Sequence, residues 1–163
     1  MNIEDEIIKE CCRIEEDSIY SSKGHFEASA LWKRIHLWIG VPSAILAGIA
    51  SISAFEENTL VAGSLAILVA ALGAIATFLN PSSKANEHHA AASSYLELRN
   101  RVRRFKNIEL PGMDAQDGKE RILAFGQNKD DLSLTTPQIP EWAFKKARRN
   151  IEEGQAEYVA DKA

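Results

Sequence analysis

LWIGVPSAILAGIASISAF (residues 37–55), EENT (56–59) and LVAGSLAILVAALGAIATFL (60–79) together decide how this chain is read. Neither long segment contains Asp, Glu, Lys or Arg. At about 1.5 Å rise per residue each helix reaches roughly 28–30 Å, the thickness of a bilayer's hydrocarbon core. Only Glu56, Glu57, Asn58 and Thr59 separate them, so the spacing predicts an antiparallel helical hairpin with both termini on one side. The competing reading is a soluble helical bundle with this hairpin buried at its centre. Abundant Ala and Gly speak for that, as do Pro42, Ser43, Ser51 and Ser53 in the first segment. Against it, a hairpin apolar around nearly its whole circumference needs cover on every side, and the rest of the chain is charged and at best amphipathic. The expectation is an all-α membrane protein: a two-helix transmembrane hairpin with a cytoplasmic helical layer from both termini.

The global composition hides this. The 163 residues are 45% hydrophobic, with 19 Lys and Arg against 23 Asp and Glu. The mean hydropathy of −0.20 resembles that of a soluble protein. The length suits one domain. Its parts are N-terminal helices over 1–36, spans over 37–55 and 60–79, and C-terminal helices over 80–163. A net charge of −4 gives no general attraction for nucleic acid.

Orientation follows from the flanks. Lys33, Arg34 and His36 precede the first span; Lys84, Arg99, Arg101, Arg103 and Arg104 follow the second; the linking residues hold no cation. The positive-inside rule then places both termini in the cytoplasm and the acidic tip outside. The opening MNIEDE is acidic, so neither span reads as a cleavable signal. Trp32 and Trp38 sit where interfacial aromatics commonly anchor a span.

Small residues recur along both spans. Gly40, Ser43, Ala47 and Ser51, with Ala50, Ala54 and the adjacent Gly48, follow helical spacing in the first. Ala62, Ala66, Ala70, Ala74 and Thr77 do so in the second. Such stripes let helix backbones approach closely. They either close the hairpin on itself, or pack protomer against protomer, or line an opening. In a ring of protomers Glu56 and Glu57 would form an acidic, cation-favouring pore mouth.

Outside the spans, Ile3, Ile7, Cys11, Ile14 and Ser18 repeat at helical spacing, with a break expected near Ser21, Ser22 and Gly24. Asn80-Pro81 fits an N-cap before a first-turn proline, or a kink. A long helix follows with Ala91, Tyr95, Leu98, Val102 and Phe105 on one face, ended by Pro111-Gly112. A shorter helix is expected around Lys119 to Asn128, a linker over LSLTTPQIP, and a last helix over EWAFKKARRNIEEGQ.

Candidate chemistry is sparse. Arg99, Arg101, Arg103, Arg104 and Lys106 are the densest basic run, its arginines readable as a contact for anionic lipid or a phosphorylated ligand, or the run as a solvated face paired with nearby acids. His88 and His89 point about 100° apart on a helix and cannot share a metal as an i, i+4 pair would. Cys11-Cys12 has neither redox nor zinc spacing. No nucleophile elbow, P-loop, zincin or dinucleotide motif occurs. The expectation is therefore no catalytic residue, no metal, no cofactor and no enzyme.

Three stretches carry a resemblance: His25 to Pro42 leading into the first span, Thr77 to Arg99 leaving the second, and Pro137 to Trp142 before the last helix. Together, over about residues 20–150, they resemble the SLATT family, the two-transmembrane domains associated with SMODS nucleotide synthetases and SLOG sensors in prokaryotic conflict systems. The family's characteristic positions fall on His25, Trp32, His36, Gly40, Pro42, Phe78, Asn80, His88 and Tyr95, read here as packing and junction residues. The resemblance implies an antiviral, abortive-infection effector that oligomerises in the inner membrane and breaches it on activation. Membrane lipid and copies of itself would be its partners, with a separate nucleotide-sensing or nucleotide-synthesising protein as trigger. The alternative is a non-conducting scaffold or sensor that tethers a soluble partner.

Overall fold

The computed structural model describes residues 3–156, and among these no strand occurs. Five α-helices follow in order: α1 (Ile3–Phe55), α2 (Thr59–Leu79), α3 (Pro81–Arg104), α4 (Ala115–Thr135) and α5 (Glu141–Asn150). Single π-helical turns, Phe105–Glu109 and Ile151–Gln155, extend α3 and α5. The chain divides into two compact units. A terminal unit comprises the chain up to Ala28 and from Glu87 onward; an apolar unit comprises Ser29–Asn86.

In the terminal unit the core is built from one stripe of each helix. Ile7, Cys11 and Ile14 of α1 meet Leu98, Val102 and Phe105 from α3 and its π turn, and Ile122 and Phe125 of α4. Burying this stripe, about 25 cal/mol per Å² of apolar surface, is what holds otherwise charged helices together. Phe105 is fully buried with its ring 5.5 Å from that of Phe125. The π turn there ends with Leu110 N–H donating to the Phe105 carbonyl at 2.9 Å, and Gly112, at φ 98°, takes the left-handed turn that follows.

Two expected boundaries are corrected. No break occurs at Ser21, Ser22 and Gly24: α1 runs unbroken through them. They are polar or small for packing reasons instead. Ser22 Oγ donates to the Ala92 carbonyl at 2.9 Å, and a Cβ on Gly24 would stand 3.0 Å from Ile139 Cγ2. Helix α4 is longer than 119–128 and takes in much of the expected linker. The hydroxyls of Ser133, Thr135 and Thr136 donate to the carbonyls of Lys129, Asp131 and Leu132 at 2.9, 2.8 and 2.7 Å, so residues that suggest a loop are satisfied inside a helix or at its end. The helix stops at Thr136, whose extended ψ of 152° is what a following proline requires.

In the apolar unit, α1 and α2 are joined by a three-residue turn. Asn58 N–H donates to the Ser53 carbonyl at 3.0 Å and Glu57 N–H to that of Ala54 at 3.2 Å, the paired bonds of a Schellman motif. Glu57 occupies its left-handed position at φ 59°, where glycine is usual. Asn58 then caps α2, its side chain accepting from Val61 N–H at 3.4 Å. At the other end Asn80, left-handed at φ 42°, ends α2 by donating to the Ala76 carbonyl, and Pro81 begins α3 without an N–H to leave unpaired.

Candidate functional site

Both long helices are long and apolar enough to cross a membrane, and none of their most apolar stretch is buried. Burial within the apolar unit reveals which side of each helix faces its neighbour. Half-buried residues recur at three and four: Ile39, Pro42, Leu46, Ala50 and Ser53 in α1, Ala62, Leu65, Val69, Leu72 and Ala76 in α2. Ile39, Leu46, Leu65, Val69 and Leu72 thus share the hairpin's seam with Pro42, Ala50, Ser53, Ala62 and Ala76.

Most of the small residues singled out in the sequence lie elsewhere. Ser43, Ala50 and Ala62 are half-buried, whereas Gly40, Ala47, Gly48, Ser51, Ala54, Ala66, Ala70, Ala74 and Thr77 are exposed. A Cβ added at Gly40, Gly48, Gly63 or Gly73 would meet nothing within 4 Å. Most of each small stripe is therefore left open rather than consumed in closing the hairpin. Their hydroxyls are also suited to an apolar surround. Those of Ser43, Ser51, Ser64 and Thr77 donate to carbonyls of their own helix at 2.7, 2.9, 3.0 and 2.9 Å. Glu56 and Glu57 are exposed at the turn. Beyond the most apolar stretches, Ser29 Oγ donates to the Ala85 carbonyl at 2.8 Å and Lys84 Nζ lies 4.5 Å over the Trp32 ring.

The basic run does not form one face. Arg99 and Arg103 are half-buried, and Arg101 and Arg104 are exposed on another side of the helix. Arg99 donates to the Ala156 carbonyl at 3.4 Å, and Arg101 lies 5.6 Å over the Phe125 ring. A groove of about 440 Å³ in the terminal unit is lined by Glu16, Asp17, Tyr20, Tyr95, Lys129, Ser133, Phe144 and Arg148. Its cations are engaged, Lys129 with Asp17 at 3.0 Å and Arg148 with Glu152 at 2.8 Å, so its charge is balanced rather than anion-seeking.

One contact in the terminal unit has no counterpart in the sequence reading. His25 of α1 and His88 of α3, 1% and 5% exposed, face each other with Nδ1 atoms 2.9 Å apart. The His25 ring stacks on Tyr95 at 5.7 Å, and Phe26 meets His89 edge-on at 5.5 Å. Burial pushes His25 down to about 4, helped by His88. Burial also lowers His88, against an opposing pull from Glu87. The signal was available: Ser18, Ser22 and His25 share one side of α1, opposite an α3 side of Ala91, Ala92 and Tyr95, and all six are buried. Small residues at helical spacing permit a close helix approach, and a polar ring within such a stripe needs a partner across it. Among the described residues no group of three or more His, Cys, Asp or Glu is placed to hold a metal.

No family model, curated protein or solved structure matches the chain.

Proposed function

We propose that α2 and the second half of α1 cross the bacterial inner membrane as a hairpin, with both termini and the terminal unit in the cytoplasm. The chain is a non-enzymatic membrane effector that assembles through its small faces into a pore or a membrane-disrupting array. The observation that supports this is the division of faces. Ile39, Leu46, Leu65, Val69 and Leu72 share the hairpin seam with a few small residues, while most of the Gly and Ala stripes stay open, with empty space beside Gly40, Gly48, Gly63 and Gly73. Small stripes free to meet another backbone are how helices associate where lipid removes the hydrophobic drive. The flanking cations favour the cytoplasmic placement of both ends. In such an assembly Glu56 and Glu57 would ring the outer mouth. The resemblance to SLATT domains supplies the biological setting, an antiviral response released by a separate nucleotide-linked partner. Arg101 and Arg104 are the exposed cations of the run left for a lipid or phosphorylated contact.

The test is membrane potential during induced expression in bacteria, with fractionation of the same cells. Depolarisation with the protein in the membrane fraction, lost in Gly48→Leu and Ala70→Leu variants that still insert, is the expected result. Recovery in the soluble fraction overturns the membrane reading. Full depolarisation by both variants overturns the role of the small faces.

A further inference from the structure

Two imidazoles whose Nδ1 atoms lie 2.9 Å apart hold one hydrogen between them. In the neutral pair one ring carries its proton on Nδ1 and donates; the other carries its proton on Nε2 and accepts. A first added proton goes to the Nε2 of the donating ring. The contact survives and becomes charge-assisted. A second proton has one basic nitrogen left to occupy, the accepting Nδ1 itself. Two N–H groups then confront each other across the bond, on two cations in a buried site.

We propose that the His25–His88 contact is a two-proton latch between α1 and α3, closed with no added proton or one and opened by the second.

The surroundings make opening a movement of helices rather than of rings. Ser22 Oγ is bonded to the Ala92 carbonyl at 2.9 Å, Ser18 and Ala92 are fully buried, and Tyr95 covers the His25 ring. Close packing of this kind leaves a charged ring no route to water unless the helices part. The ionisable groups facing the pair are few. Glu87 stands beside His88 on α3, His89 is turned to Phe26, and the Tyr95 ring is stacked on His25. On α1, Lys23 donates to the Gln155 carbonyl at 3.4 Å, and Glu27 is held by Lys146 at 2.7 Å. Glu87 alone favours charge on a ring, and it helps His88 over the first proton. Burial, which lowers both histidines, sets the opening well to the acid side of neutrality. The latch goes beyond the proposed membrane role, which decides only what its opening would do.

Hydrogen exchange of the full chain in detergent micelles, from pH 7.5 to pH 4 and corrected for intrinsic rates, tests it. Amides of residues 85–95 are expected to lose protection on acidification about a hundredfold per pH unit at the steepest point, the slope of two protons. His88→Asn keeps a hydrogen-bonding atom near the Nδ1 position but leaves only His25 to titrate, so its slope should fall to about tenfold per unit. A slope of about tenfold per unit in the parent, or an equal loss in the variant, overturns the latch. Exchange of the imidazole C2 hydrogens in the unaltered chain reads the same sites should the variant fail to fold. His25 and His88 should exchange far more slowly at pH 7 than the exposed His36 and His89, and equal rates overturn the proposal.

Discussion

Lys106 reaches from the π turn after α3 to α1, where its Nζ lies 2.7 Å from Glu15 Oε1 and 3.6 Å from Cys12 Sγ. Burial works against the charge on Lys106, but the bond and charge of Glu15 together with Cys12 outweigh it, so the amine is held above its ordinary value. With side chains 20% and 16% exposed, the pair is among the better sheltered ion pairs of the terminal unit. Replacing Lys106 by Met leaves Glu15 charged and half-buried without its partner. That should lower stability by about 1–3 kcal/mol, and Glu15→Leu in the same chain should restore most of it. Thermal unfolding followed by circular dichroism in detergent measures both, and equal stability of parent and Lys106→Met would show the pair contributes nothing.

Gly118 and Gly48 should respond to substitution in different ways. A Cβ on Gly118 falls 3.2 Å from both Ile7 Cδ1 and Leu110 Cδ1 in the core, so Gly118→Leu should cost about 1–3 kcal/mol by overpacking. Gly48→Leu meets nothing within its own hairpin and should leave the melting temperature unchanged. Its effect should fall on assembly instead, read as a smaller particle by native mass spectrometry from detergent.

Acid should weaken the fold before carboxylates titrate fully. His25 is lowered to about 4 in the folded chain from an ordinary 6.5, so as pH falls the unfolded chain binds its proton first. Its contribution is complete above pH 6.5 and is lost as pH falls toward 4, a change of about 3 kcal/mol for a shift of this size. Denaturation midpoints between pH 7 and pH 4 measure the slope, and His25→Asn should flatten it.

The adjacent cysteines should behave oppositely toward a thiol reagent. Burial, with Glu15 adding to it, pushes Cys11 up to about 11, whereas Cys12 is exposed. Maleimide at pH 7.5 should label Cys12 promptly and Cys11 only on unfolding, as peptide mapping would reveal.

Much of this architecture was legible because it rests on periodicity. The apolar segments and the α3 face of Ala91, Tyr95, Leu98, Val102 and Phe105 follow from spacing alone, and all five of those side chains are buried. Missed features share a cause: a residue whose local preference disagrees with its tertiary task. Ser21, Ser22 and Gly24 suggest a break, yet Ser22 is spent on a bond to α3 and Gly24 makes room for Ile139. Ser133, Thr135 and Thr136 suggest a loop, yet their hydroxyls fold back on helical carbonyls. The small stripes were legible as stripes, but which side closes the hairpin depended on where Leu46, Leu65, Val69 and Leu72 turn, and spacing leaves that open. His25 and His88 lie 63 positions apart, beyond any local pattern.

The turn at Glu56–Asn58 has a mechanical consequence. Its backbone bonds tie Ser53 and Ala54 to Asn58 and Glu57, and Asn58 in turn tethers Val61, so no slack chain connects α1 to α2. Neither helix can slide lengthwise past the other without undoing those bonds. A piston stroke of one helix against its mate is therefore denied to this hairpin. Motion left to it is that of a single stiff blade, which tilts or rotates whole, and an assembly of such blades would open by changing the seams between hairpins and not the seam within each.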